Sequence, residues 1–230
     1  MYQLNEFIQR EKLDIALANK VAEILANEVA LKGRASIAVS GGSTPKGFFK
    51  ALSQKDLPWS DITVTLADER WVGIESDASN TRLVHENLLQ NKAVNAKFFH
   101  LKQGAELTEE TLDDLNLAAS TSLLPLDVLI LGMGEDGHTA SLFPCSDEID
   151  QALSLTANPL LKVVPKSAPH DRITFSFAHL KTSKNVFLHI SGASKQTVLN
   201  QAIKESNIRE MPIRAFLNDP EINTNVYWAE

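Results

Sequence analysis

His138 lies in a run that begins Leu-Gly-Met-Gly-Glu-Asp-Gly-His-Thr-Ala-Ser-Leu-Phe-Pro over residues 131–144. Asp136 comes two positions before it and three glycines, Gly132, Gly134 and Gly137, precede it within six residues. Glycine tolerates positive φ and lets the backbone approach a bound group. A histidine that a loop presents beside a carboxylate points to proton transfer. The other five histidines, His85, His100, His170, His179 and His189, fall in helix, strand or polar-loop patterns and are expected to be structural or solvated.

A second glycine loop, Ser40-Gly41-Gly42-Ser43-Thr44-Pro45, joins a strand pattern to a helix pattern. Helix N-termini and loop amides suit an anion. The loop lacks the Gly-Lys-Ser/Thr ending of a nucleotide P-loop. Two readings stay open: a single phosphate held by loop amides from Gly42 with Ser43 and Thr44, or an ordinary βα turn with Ser43 or Thr44 as cap and Pro45 in the first helical position.

Asp68-Glu69-Arg70-Trp71 ends another strand pattern. Arg70 there either holds an anionic or carbonyl oxygen or pairs with its acidic neighbours. Arg172 and Lys195 carry no signal of their own. The central run also spells G-x-G-x-x-G at Gly132, Gly134 and Gly137, but no acidic residue ends the next strand about 20 positions on, which counts against a dinucleotide. With no second histidine at ligand spacing and one cysteine, Cys145, no metal site is expected. Cys145 reads as a packing or surface residue, with no local feature to lower its pKa.

Strand and helix patterns alternate along the chain. Residues 11–31 repeat apolar side chains at helical spacing and Gly33 follows as a C-terminal glycine. Strands are expected at 35–39, 62–67, 97–101, 126–131, 172–177, 185–190 and 224–228. Helices are expected after Ser79 or Asn80, after a Thr108 cap, and after Lys195, with a short helix or turn at 212–217. Residues 153–164 look like two extended pieces around Asn158-Pro159. This order predicts an α/β fold with a mostly parallel sheet and helices on both faces, as one domain over residues 1–230. The C-terminal strand ends then share an edge, where Ser43-Thr44, Asp68-Glu69-Arg70, Asp136-Gly137-His138 and Lys195 converge. Arg172 begins a strand and falls outside that set.

The composition is globular, with 43% hydrophobic and 22% charged residues. A net charge of −7 without a basic run argues against nucleic-acid binding and leaves a small anionic substrate possible. Neither a signal peptide nor an apolar span is evident, so a cytoplasmic protein with no membrane partner is expected.

At these residues the chain resembles the 6-phosphogluconolactonase family of the sugar-phosphate isomerase/deaminase-like fold. The match runs through Ser40–Pro45, Asp68–Val72, Ser79–Asn80, Gly132–Pro144, Arg172–Thr174 and Gly192–Lys195, in family order and across nearly the whole chain. The related glucosamine-6-phosphate deaminases differ around Asp68–Val72 and after Asp-Gly-His. The resemblance implies cofactor-free hydrolysis of 6-phospho-glucono-1,5-lactone, a small phosphosugar lactone, to 6-phosphogluconate. For that reaction His138 is expected to be the base that activates water, with Asp136 orienting or polarising it and Arg70, at the sheet edge, stabilising charge on the carbonyl oxygen. Gly42, Ser43, Thr44, Arg172 and Lys195 would hold the phosphate. The alternatives are an amino-sugar phosphate deaminase or isomerase and a silent phosphosugar sensor. Either a monomer or a homodimer is compatible with it.

Overall fold

Short apolar runs form the centre of the fold. Ala35–Val39 (β2) and Val128–Leu131 (β6) are buried along their whole length, as strands covered on both faces must be. In the computed structural model, which describes residues 2–230, they lie side by side in a seven-stranded parallel sheet. The others are Gln3–Phe7 (β1), Ile62–Leu66 (β3), Lys97–Phe98 (β5), Asn185–Ser191 (β9) and Thr224–Ala229 (β10). Their order is β1-β10-β9-β6-β2-β3-β5, and every pairing is parallel.

From β2 the chain winds outward through β3 to β5, then returns to place β6 on the other side of β2. The strand order therefore reverses between β2 and β6, the position at which open α/β sheets leave a crevice beyond the strand ends. Ser40 closes this junction. Its hydroxyl donates to the Ile130 carbonyl (3.0 Å) and accepts from the Gly132 amide (3.2 Å).

Helices cover the sheet. Arg10–Lys32 (α1) buries Leu13, Leu17, Val21 and Leu25 along one stripe and stops at Gly33, whose φ of 74° and N–H bond to the Val29 carbonyl match the expected terminus. Lys46–Ser53 (α2) packs against α1. Asn80–Asn87 (α3) begins at Ser79, whose hydroxyl accepts from the Arg82 amide. Glu109–Ser122 (α4) begins at Thr108 in the same way. Ala193–Ala202 (α7) follows β9. Among the described residues, no helix is long and apolar enough to cross a membrane.

Several expectations are corrected. Asp68–Arg70 is not the end of a parallel strand but a strand of its own, β4, in a separate antiparallel sheet with Leu160–Val163 (β7) and Arg172–Phe175 (β8), ordered β4-β8-β7. The strand from Arg172 stops at Phe175 because Ser176 turns the chain into Phe177–Leu180 (α6). Residues 153–164 hold one strand rather than two extended pieces: Leu153 ends Ile149–Leu153 (α5), and the chain turns over 154–159 before β7. Pro45 flanks α2 rather than opening it, and neither Ser43 nor Thr44 supplies a side-chain cap. Arg214–Leu217 (α8) is the short helix near the end. Strand β1 had no apolar alternation to reveal it, since it is an edge strand with a largely exposed pattern.

Glu69 fixes the small sheet to α3. This carboxylate is 1% exposed and accepts from the amides of Asn80 (2.8 Å) and Thr81 (2.7 Å) at the helix start. It also accepts from its neighbouring Arg70 amide (2.7 Å) and the Ser79 hydroxyl (3.3 Å). Removing it leaves buried donors unpaired. Glu69→Ala is expected to cost about 2–4 kcal/mol and to lower Tm by roughly 5–15 °C in calorimetry. A drop below about 2 °C would show that α3 does not depend on this carboxylate.

Candidate active site

The crevice at the β2/β6 junction is a cavity of about 530 Å³, within the range of small-molecule sites. The residues expected to converge do so: Gly42, Ser43, Thr44, Arg70, His138 and Lys195 all line it. Asp136 stands behind His138. Arg172 lines it too, against the expectation from its strand start. The antiparallel pairing explains this, since the beginning of β8 lies beside the end of β4, with Arg172 opposite Arg70 in register.

The His138 loop is built around a close contact. Asp136 Oδ1 accepts from His138 Nδ1 at 2.6 Å and from the His138 amide at 3.1 Å. An ionised carboxylate has no proton to give, so Nδ1 carries the hydrogen and Nε2 is the ring nitrogen left to exchange a proton. Burial pushes the Asp136 carboxyl up, but the bonds and charge from His138 outweigh it and hold the group below its usual range. The imidazole lies nearly parallel to Phe143, with ring centres 4.2 Å apart.

The glycines of this loop have different tasks. A Cβ on Gly134 would fall 2.1 Å from His138 Nδ1 and 2.7 Å from Asp136 Oδ1. Gly137 alone of the three adopts positive φ (74°), and its carbonyl accepts from the Ile213 amide. Gly132 needs neither a left-handed φ nor a close approach, its nearest side-chain neighbour being Ser40 at 3.9 Å. No long helix follows. Thr139 instead bonds back to the Gly132 carbonyl (2.8 Å), and the Ser141 hydroxyl donates to Asp68 (2.5 Å). The loop is thereby tied to β4.

In the first loop, Gly42 takes φ 92° and Gly41 lies against the Asn80 amide group, where a Cβ would strike Oδ1 at 1.9 Å. Arg10 draws out the Ser43 and Thr44 carbonyls at 2.9 and 2.8 Å. Pulling the Ser43 carbonyl outward turns the Thr44 N–H to the opposite side, since the peptide is planar. No sequence pattern marked Arg10.

Arg70 and Arg172 bring two cations to one wall. Arg70 donates to the Ala78 carbonyl (2.7 Å) and Arg172 to the Pro169 carbonyl (3.1 Å), yet the Nε of each is buried without a hydrogen-bond partner among the described residues. Burial lowers the Arg172 pKa, and the Arg70 charge lowers it further, against the opposing pull of Asp68 and Glu69. The Arg172 guanidinium also sits 5.7 Å over the Phe143 ring. Lys195 pairs with Glu135 at 2.8 Å, within the central motif. Cys145 departs from its expectation: burial raises the thiol pKa, but hydrogen bonding, led by the Ser167 hydroxyl (3.1 Å), brings it below its usual value.

A family model for glucosamine-6-phosphate isomerases/6-phosphogluconolactonase matches residues 8–228. The chain belongs to this family. Among its members, the 6-phosphogluconolactonase of Rhizobium meliloti (strain 1021) is 45% identical over 215 residues, covering 93% of each chain. That of Pseudomonas putida is 40% identical over 231 residues, covering 99% of this chain and 93% of the relative. The crystal structure of a 6-phosphogluconolactonase from Shewanella baltica OS155 matches with a TM-score of 0.97 at 43% identity, covering 100% of this chain and 98% of the other. A monomeric glucosamine-6-phosphate deaminase shares the family fold at TM-score 0.80 and 19% identity.

The loop around His138 leaves no space at Gly134. Gly134→Ala is expected to displace the imidazole from Asp136 while the sheet stays intact. In proton NMR the hydrogen-bonded Nδ1–H resonance of His138 should disappear, with the backbone amides of β2 and β6 unshifted. A retained Nδ1–H resonance would show that the loop accommodates the methyl group.

Proposed function

We propose that this chain hydrolyses 6-phospho-D-glucono-1,5-lactone to 6-phospho-D-gluconate, the second step of the oxidative pentose phosphate pathway. Full-length similarity to 6-phosphogluconolactonases supports the activity. The observation that carries the site reading is the cavity itself: a histidine oriented by a carboxylate faces two guanidiniums with buried, unpaired Nε atoms. Unpaired buried donors of positive charge call for an anionic ligand.

In this reading His138 Nε2 takes a proton from water as the oxygen attacks the lactone carbonyl. General-base assistance of this kind is commonly worth about 10²–10⁴-fold. Asp136 fixes the tautomer and steadies the imidazolium that forms. Arg70 stabilises the negative charge that develops on the carbonyl oxygen. As the ring C–O bond breaks, the imidazolium returns the proton to the departing ring oxygen, leaving the open-chain acid. The amides of Gly42 to Thr44, the Ser43 and Thr44 hydroxyls, Arg172 and Lys195 hold the phosphate and so position the ring. The reaction needs no cofactor. One domain over residues 1–230 carries the site, in a cytoplasmic enzyme that is a monomer or homodimer and binds neither nucleic acid nor membrane.

His138→Asn is expected to lower kcat by at least about 10²-fold, measured as acid release above the spontaneous rate from freshly made lactone. A kcat within about twofold of the parent would remove His138 from the base role. Arg172→Ala should raise KM for the phosphorylated lactone by about tenfold or more and leave turnover of unphosphorylated gluconolactone nearly unchanged. Equal weakening of both would mean that Arg172 does not read the phosphate. Ammonia release from glucosamine 6-phosphate would instead mark a deaminase.

A further inference from the structure

His189 and Asp14 form a buried pair that the mechanism above does not use. His189 is 3% exposed on β9 and also lines the cavity, while Asp14 is 6% exposed on α1. His189 Nε2 lies 3.2 Å from Asp14 Oδ1, yet the two are not aligned as a hydrogen bond, and among the described residues His189 Nδ1 has no hydrogen-bond partner either. The Asp14 carboxylate reaches α2 as well, where a Cβ on Gly47 would fall 1.9 Å from Oδ2. A negative charge is thus held against the first turn of the helix that follows the Ser43–Thr44 loop, the place where that helix would otherwise favour an incoming anion.

We propose that His189 is a positioning residue for the substrate phosphate: its imidazolium offsets the Asp14 carboxylate beneath the phosphate loop. This rests on the assignment of that loop to the phosphate. A buried carboxylate needs a compensating charge, and the groups packed around the imidazole leave His189 to provide it. Helix α2 contributes the Phe48 ring, edge-on at 5.9 Å, and no charge. On β10 the register neighbour is Tyr227, whose hydroxyl is pushed up by burial and stays neutral. Arg10, one turn before Asp14, is spent on the Ser43 and Thr44 carbonyls. Lys195 lines the same cavity and pairs with Glu135. With His189 charged, the pair is neutral overall and the loop presents its positive end undiminished. With His189 replaced by a neutral side chain, Asp14 faces the phosphate uncompensated.

The test compares binding of 6-phosphogluconate and gluconate by calorimetry in the parent chain, His189→Gln, Asp14→Asn and the double variant. The parent should prefer the phosphorylated acid. His189→Gln should weaken 6-phosphogluconate at least fivefold, leave gluconate unchanged, and raise KM for the lactone without changing kcat. Asp14→Asn added to it should restore affinity to within twofold of the parent. A purely structural role for the pair predicts no such rescue. Asp14→Asn alone makes the region one charge more positive and should tighten 6-phosphogluconate at least twofold, which keeps the test decisive if His189→Gln does not fold. An unchanged preference in His189→Gln, failure of the double variant to recover, or no tightening in Asp14→Asn overturns the proposal. A parent chain that binds both acids equally overturns the phosphate assignment instead.

Discussion

Two guanidinium groups side by side repel one another, and most of the site's architecture deals with that repulsion. Arg70 and Arg172 are opposite each other in an antiparallel pair, an arrangement that is unfavourable unless negative charge is near. The same strand supplies it, through Asp68 and Glu69. Neither carboxylate is free to collapse onto the guanidiniums. Glu69 is occupied by the start of α3, and Asp68 holds the Ser141 hydroxyl of the His138 loop. The acids lower the electrostatic penalty from a distance and leave the cationic wall open to the cavity.

The second constraint is closeness. Gly134 and Gly41 are glycines because a neighbouring side chain, His138 or Asn80, occupies the space a Cβ would need. The first contact folds the loop after β6 on itself, and the second seats the loop after β2 on the start of α3. Ser40 then joins the two strand ends directly. The imidazole is placed by packing on Phe143 and by Asp136 together, so that its direction does not depend on a bound ligand.

Much of this was legible in the sequence because it is local. The parallel strands are continuous apolar runs, Gly33, Ser79 and Thr108 mark helix ends, and Asp136 lies two residues from the imidazole it orients. What escaped is set by contacts between distant segments. The partnership of Arg70 and Arg172 depends on an antiparallel pairing between residues about a hundred positions apart, and a short run such as Asp68–Arg70 has no periodicity to announce it. Arg10 and His189 reach the site from an outer helix and a central strand, and nothing in their flanking residues distinguishes them. Strand β1 carries no such signal because an exposed edge does not require apolar alternation.

The pairing of β1 with β10 has a consequence for how the chain assembles. Among the described residues, β10 is the one strand partner of β1, and Asn5 bonds to the Val226 carbonyl across 221 positions of sequence. Until β10 has docked on β9, residues 3–7 have no edge to join. The first of the described strands in chain order is therefore seated after β10. Contacts of such long range slow folding through the entropy of closing the intervening loop. The loops that carry Ser43 and His138 follow strands in the middle of the sheet, away from this edge.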